Sequence, residues 1–103
     1  MKEIAVVRIY IREGDHSDGR DLMGRIFAIL HDQHKVHGVT VFRGIAGFGA
    51  HGETHAADLL HITAHLPLIV EFFDAPEVVD AALAELQGLI PAGHTVRWSA
   101  LCL

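Results

Sequence analysis

Residues 43–52 read RGIAGFGAHG, with four glycines in ten positions. They follow VTVF, whose β-branched and aromatic residues suit a strand. Without a Cβ, Gly44, Gly47 and Gly49 can take positive φ and turn backbone N–H groups toward one point, which is the chemistry of an anion cradle. The plainer alternative is a kinked strand end leading into a turn. The spacing GxxGxG is not the dinucleotide-binding fingerprint, and no clear helix follows it. Cations would assist such a cradle. Arg43 opens the run and Arg12 ends the first apolar stretch, although each could equally be an exposed partner in a surface ion pair worth about 0–1 kcal/mol.

Histidine is the other abundant chemical group. His51 and His55 are four residues apart, as are His61 and His65, while His31 and His34 are three apart. On a helix these spacings put two imidazoles on one side, where they can share a metal ion. No cysteine, clear third ligand or HExxH pattern completes a set. The best metal candidates are His51, His55 and His61, which an oligomer could bring together around its axis. For His31 and His34 the competing role is positive charge at a helix C-terminus. Asp58 with His55 or His61 could make an acid–base pair, but no nucleophile accompanies it, and catalysis is not expected. The one cysteine, Cys102, cannot form an internal disulfide and reads as a small strand side chain.

Composition narrows the classes. The 103 residues are half apolar and one-fifth charged, which is globular composition for a single domain spanning 1–103. The net charge is −5 with no lysine–arginine run, which argues against nucleic acid as a partner. Protonating all nine histidines would carry the charge from −5 to +4, so the surface field depends on mild acid. The opening MKEIAVVRIYI is too short and too charged to span a membrane, and it lacks a signal-peptide cleavage pattern. A cytoplasmic protein is expected.

The elements that must position these groups follow from periodicity. Residues 3–12 read as a strand. Asp18, with Asp21 three positions on, caps a helix over 19–35 carrying Leu22, Ile26, Ile29 and Leu30 on one stripe. Gly24 within it costs about 1 kcal/mol relative to Ala, for which a close helix–sheet approach would compensate. Gly38 sits where a left-handed helix stop belongs. A second strand covers 39–48, and HAADLLHITAHL could hold a short helix. Pro67 opens a third strand, LIVEFF. Asp74 and Glu77 cap a second helix with Val79, Leu83, Leu86 and Ile90 inward, and 94–101 form the last strand. The order β-α-β-β-α-β predicts an α+β, ferredoxin-like sandwich: a four-stranded antiparallel sheet with two helices on one face.

That architecture leaves the second sheet face uncovered. Ile4, Val6, Arg8 and Tyr10 from the first strand and Ile69, Glu71 and Phe73 from the third share it, with one charge per strand amid apolar residues. This is too much apolar surface for water, so Arg8, Tyr10, Ile69, Glu71 and Phe73 are expected in a homo-oligomer interface. Arg8 and Glu71 would neutralise each other within a chain or across it.

VTVFRGIAGFGA, the histidine after it, DLL and the downstream LPLIVEFFD closely resemble the domain-of-unknown-function 190 family of small PII-like proteins. The opening RIYI fits as well. The likeness covers essentially the whole chain, and RGIAGFG is its specific part. The resemblance implies a ferredoxin-like subunit assembled as a PII-like homotrimer. It also implies kinship with PII signalling proteins, which bind adenine nucleotides in clefts between subunits and move a long loop to control a transporter, channel or enzyme. Gly47, Phe48 and Gly49 match the Gly-Phe-Gly from which that loop departs, so the loop would span roughly residues 50–60. An ATP, ADP or AMP effector would rest its phosphates on Gly44, Gly47, Phe48 and Gly49, with Arg43 and Arg97 beside them and Arg12, Gly93 and His94 less directly involved. Where PII proteins continue with Arg-Gln, this chain has Ala50 and His51. Their Gly-Asp-Gly-Lys phosphate loop is replaced by Pro91, Ala92, Gly93 and His94. The implied function is regulatory signalling with no required cofactor, at the membrane when a transporter or channel partner recruits it. The alternative is a metal- or proton-responsive protein using the histidine-rich segment.

Overall fold

The computed structural model describes residues 1–17, 20–33, 36–47 and 66–103. In chain order these form β1 (Lys2–Arg12), the short strands β2 (His16–Ser17) and β3 (Arg20–Asp21), and helix α1 (Leu22–Ala28), which runs into a π-helical turn at Ile29–Gln33. Then come β4 (Gly38–Arg43), β5 (Pro67–Asp74), α2 (Pro76–Leu86) and β6 (Thr95–Cys102). The long strands make one antiparallel sheet in the order β4-β5-β1-β6, and β2 and β3 pair as a separate hairpin. The ferredoxin-like arrangement read from the sequence is the one observed. The β2–β3 hairpin is an addition, in a stretch that the sequence presents only as a polar connection.

The β1 alternation determines the layers. Ala5, Val7, Ile9 and Ile11 point to the helices, where they meet Val70 and Phe72 of β5. Leu22, Ile26 and Leu30 close this core from one helix, and Val79, Ala82 and Leu86 close it from the other. Spacings of three and four put each triplet on one helical face. Ile90, beyond the end of α2, is also buried.

Several local expectations are corrected. The α1 cap is Asp21, whose Oδ2 accepts the Gly24 N–H at 3.1 Å, so the helix begins at Leu22; Asp18 lies outside the described residues. Gly24 is exposed, and a Cβ there would meet only Asp21, so it makes no close approach to the sheet. Gly38 is the first residue of β4, opposite Phe73, and is not a left-handed stop. The N-cap of α2 is Ala75, followed by Pro76, whose fixed φ and missing N–H suit a first helical turn. Asp74 instead accepts the N–H groups of Ala75 and His37, both at 2.7 Å, fastening the entry to β4 against the end of β5. The second strand ends at Arg43, and the helix suggested for HAADLLHITAHL falls outside the described residues except for its last residue, Leu66.

The uncovered face carries the residues expected there. Cross-strand register sets Val6 opposite Phe73, Arg8 opposite Glu71 and Tyr10 opposite Ile69. Arg8 Nε donates to Glu71 Oε1 at 2.7 Å within the same chain. That bond first, and Tyr10 second, hold the guanidinium above the ordinary arginine pKa. The edge strands add Phe42 and Trp98, whose rings flank the Arg8 guanidinium at 5.5 and 6.0 Å. Tyr10, Phe42, Val96 and Trp98 remain 41–48% exposed.

Candidate functional site

One end of the sheet gathers most of the residues selected for anion chemistry, because β1 and β4 finish there while β5 and β6 begin. On the β4 edge, Arg43 makes a two-point pair with Glu13: Nε to Oε1 at 2.7 Å and Nη2 to Oε2 at 3.2 Å. The Gly44 N–H donates to the Pro67 carbonyl at 2.7 Å, extending the ladder one residue past β4. This donor is therefore already engaged.

Gly44 and Gly47 do not take the positive φ expected of them; among the described glycines only Gly14 and Gly93 do. Their need for glycine is steric. A Cβ on Gly44 would stand 3.1 Å from Pro67 Cβ, and one on Gly47 would stand 2.9 Å from Pro67 Cγ. The proline ring opening β5 thus packs directly on the backbone after β4. Phe48 and Gly49, the remainder of the motif, lie outside the described residues. Arg12 belongs to the neighbouring turn, where its N–H donates to Asp15 Oδ2 at 2.9 Å and its Nε lies 4.0 Å from Asp15 Oδ1.

The opposite edge holds the second group. Gly93, at φ 90°, makes the turn into β6. His94 and Tyr10 are joined by the Tyr10 N–H to the His94 carbonyl, and by His94 Nδ1 to the Tyr10 carbonyl, both at 2.9 Å. A carbonyl only accepts, so Nδ1 carries the proton and Nε2 is the ring nitrogen left to act as acceptor when the imidazole is neutral. Arg97 points to the helix side, opposite Val7 in register, and pairs with Asp80 of α2. A groove of about 670 Å³ opens there, lined among others by Asp80, Leu83, Ile90, Gly93, Thr95 and Arg97.

Gly93 and His94 occupy the same end of the sheet as Arg43 but not the same place, and Arg97 lies further along, level with Val39. β4 and β6 are its opposite edges, three strand spacings or about 14 Å apart. Within one chain, Arg43, Gly44 and Gly47 do not converge with Gly93, His94 and Arg97. Sequence reading missed Glu13 and Asp80, the carboxylates that hold the two arginines. Their partners are 30 and 17 residues away, and only strand order brings them together.

Among the described residues no group of three or more metal-ligating side chains comes together. His51, His55 and His61 lie outside them, as do His34, His65 and Asp58. His31 is exposed in the π-helical turn, its Nδ1 2.7 Å from Asp32 Oδ1, at the helix end where positive charge is favourable. Cys102 is half-buried in β6, paired with Lys2. Among the described residues no helix is long and apolar enough to cross a membrane.

Comparison with known proteins extends this picture. A solved structure of CPII, a nitrogen regulatory PII-like protein from Thiomonas intermedia K12, bound to ADP and bicarbonate, superposes with a TM-score of 0.62 at 20% identity, covering 96% of this chain and 85% of that one. The divalent ion tolerance protein CutA1 from Ehrlichia chaffeensis superposes with a TM-score of 0.59 at 15% identity, covering 97% and 81%. At these identities the likeness shows the fold, which PII-like and CutA1 proteins share. In sequence, a UPF0166 protein from Methanocaldococcus jannaschii is 32% identical over 90 residues, covering 87% of this chain and 82% of its own. The model of family DUF190, described as an uncharacterized ACR, matches residues 4–101. With that match spanning nearly every strand and helix described above, the chain belongs to the DUF190 family and carries its fold in PII-like form.

Proposed function

We propose that the protein is a PII-like regulatory subunit, with 1–103 as one domain, that binds an adenine nucleotide between copies of itself and performs no catalysis. The observation that carries this reading is the split of the candidate residues. Arg43, Gly44 and Gly47 stand on one sheet edge and Gly93 and His94 on the other, at the same end, with Arg97 further along β6, level with Val39. One phosphate group cannot touch both edges of a single chain. A second copy laid edge to edge with these ends level would bring Arg43 and Gly44 to one strand spacing, about 5 Å, from Gly93 and His94.

The open face supplies the drive for copies to associate. Completing the burial of Tyr10, Phe42 and Trp98 is worth on the order of 2 kcal/mol for each ring. Arg8 already has Glu71, so the interface receives a neutralised pair and not a lone charge. A homotrimer that joins each β4 edge to the next β6 edge closes on itself and leaves neither edge unpaired. The ADP-bound CPII structure on the same fold supports ATP, ADP or AMP as the effector. In this reading Phe48 and Gly49 complete the phosphate side. Residues 50–60, outside the described residues, carry the signal to a membrane transporter or channel that draws a cytoplasmic protein to the membrane.

Calorimetry with ATP, ADP and AMP, together with light scattering, tests the reading. The expected result is micromolar binding of at least one nucleotide, one per copy, by a particle of three chains. No binding of any of the three at high micromolar concentration would overturn it.

A further inference from the structure

We infer that Glu13 is a specificity-determining residue of the nucleotide site, the internal carboxylate that an incoming phosphate must displace from Arg43. The inference rests on the reading above and concerns how that site is regulated. Glu13 has two attachments. Its carboxylate takes the Arg43 guanidinium at two points, 2.7 and 3.2 Å, while its backbone N–H donates to the Leu66 carbonyl at 2.9 Å. Arg43 closes β4 and Leu66 immediately precedes β5, so one residue fastens both flanks of the chain between them.

Glu13 is also well positioned to compete. It occupies a tight turn in which Gly14 takes φ 83° and the Asp15 N–H returns to the Arg12 carbonyl at 3.2 Å. The turn is further held by the Leu22 N–H, which donates to the Asp15 carbonyl at 2.9 Å. The carboxylate is thereby delivered from a fixed backbone, and its side chain is the less exposed of the two, 26% against 52% for Arg43.

A carboxylate and a phosphate use the same forked donor geometry of a guanidinium. A phosphate approaching Arg43 must either remove Glu13 or settle beside a second negative charge. A singly charged anion then exchanges one pair for another and gains little. A polyphosphate exchanges the pair and keeps its remaining charges for other donors. The same logic recurs on the opposite edge, where Asp80 holds Arg97.

A double-mutant cycle on the full chain tests this, with ADP and inorganic pyrophosphate as probes in calorimetry. Glu13→Gln, nearly isosteric and confirmed folded by circular dichroism, is expected to bind ADP about three- to tenfold more tightly than the wild type. Arg43→Gln is expected to bind roughly tenfold more weakly. In the Arg43→Gln background, the Glu13 substitution should change affinity less than about twofold. An unchanged or weakened affinity in Glu13→Gln overturns the inference. So does an equal gain with Arg43 absent, which would be a general charge effect. A wild type that binds neither probe removes the nucleotide reading and this inference together, whereas binding without Glu13–Arg43 coupling removes the inference alone.

Discussion

The two faces of the sheet are built from alternate residues of the same strands, yet they reach different states. On the helix side, Val7, Ile9, Val70 and Phe72 are fully buried and the chain completes its own packing. On the other side, Tyr10, Phe42, Val96 and Trp98 stay 41–48% exposed around an arginine–glutamate pair. A face finished by its own chain needs only apolar residues of the right volume. If partner copies finish this face, as proposed, its groups must be tolerable in water and able to fit a partner, and a paired charge flanked by aromatic rings meets both demands.

The largest effect should come from the finished face. Phe72→Ala removes a wholly buried ring and is expected to cost about 3–5 kcal/mol, a large fraction of a small domain's stability. Urea unfolding should show a collapsed midpoint or no native baseline. A loss below 1 kcal/mol would mean that the core can collapse around the gap, and the contrast between the faces would weaken.

Next comes the charged centre of the open face. Glu71→Leu leaves Arg8 between Phe42 and Trp98 without its carboxylate. In the proposed assembly this should cost about 3–5 kcal/mol, because an unpaired charge would then be buried. Arg8→Met with Glu71→Leu should restore association to near the wild-type level, measured as a dissociation constant by sedimentation. The arginine side sets no pH limit near neutrality. With its pKa raised on folding, Arg8 contributes in full below the unfolded value and loses that contribution only as pH rises through the higher folded one. If the single and double variants associate equally well, the open face is not the interface.

Trp98→Ala probes the rim with a smaller expected effect. It should weaken association by about 1–2 kcal/mol per copy, beyond a loss of about 1 kcal/mol from the isolated fold, where the ring already stands opposite Val6 and beside Arg8. Equal losses at high and low protein concentration would show that Trp98 supports only its own chain.

How far the sequence disclosed all this depended on the range of the interaction concerned. The element order and both helix stripes follow from local periodicity, and the ferredoxin-like sheet then follows from handedness and connection rules. The open face was legible in β1 and β5 because alternation is local, and Arg8–Glu71 followed because adjacent central strands limit the choices. Phe42 and Trp98 joining that face depended on the register of the edge strands, which alternation alone does not fix. Glu13 and Asp80 were invisible for a related reason: an acidic residue in a polar turn or on a helix surface looks the same whether or not an arginine arrives from another strand. The cap assignments failed at shorter range, since Asp18 and Asp21 compete for one helix start and only the backbone path decides between them.

The smallest predicted effect bears on the glycines with which the sequence draws attention to itself. Gly47 and Gly38 flank the same strand, and neither has positive φ, so a conformational argument predicts similar behaviour on substitution. Packing predicts opposite signs. A Cβ at Gly38 meets nothing within 4 Å, and Ala there should be neutral or stabilise the strand by about 0.5 kcal/mol through lower unfolded-state entropy. A Cβ at Gly47 meets Pro67 Cγ at 2.9 Å, so Gly47→Ala should cost about 1 kcal/mol unless the proline moves. Pairing it with Pro67→Ala, which removes Cγ, should relieve most of that loss in thermal melts. Relief would establish the glycine as space for a proline ring, with any role in anion binding resting on what that close packing holds in place. No relief would place the requirement somewhere other than the proline ring, without restoring the positive φ on which the anion cradle first read from GxxGxG depended.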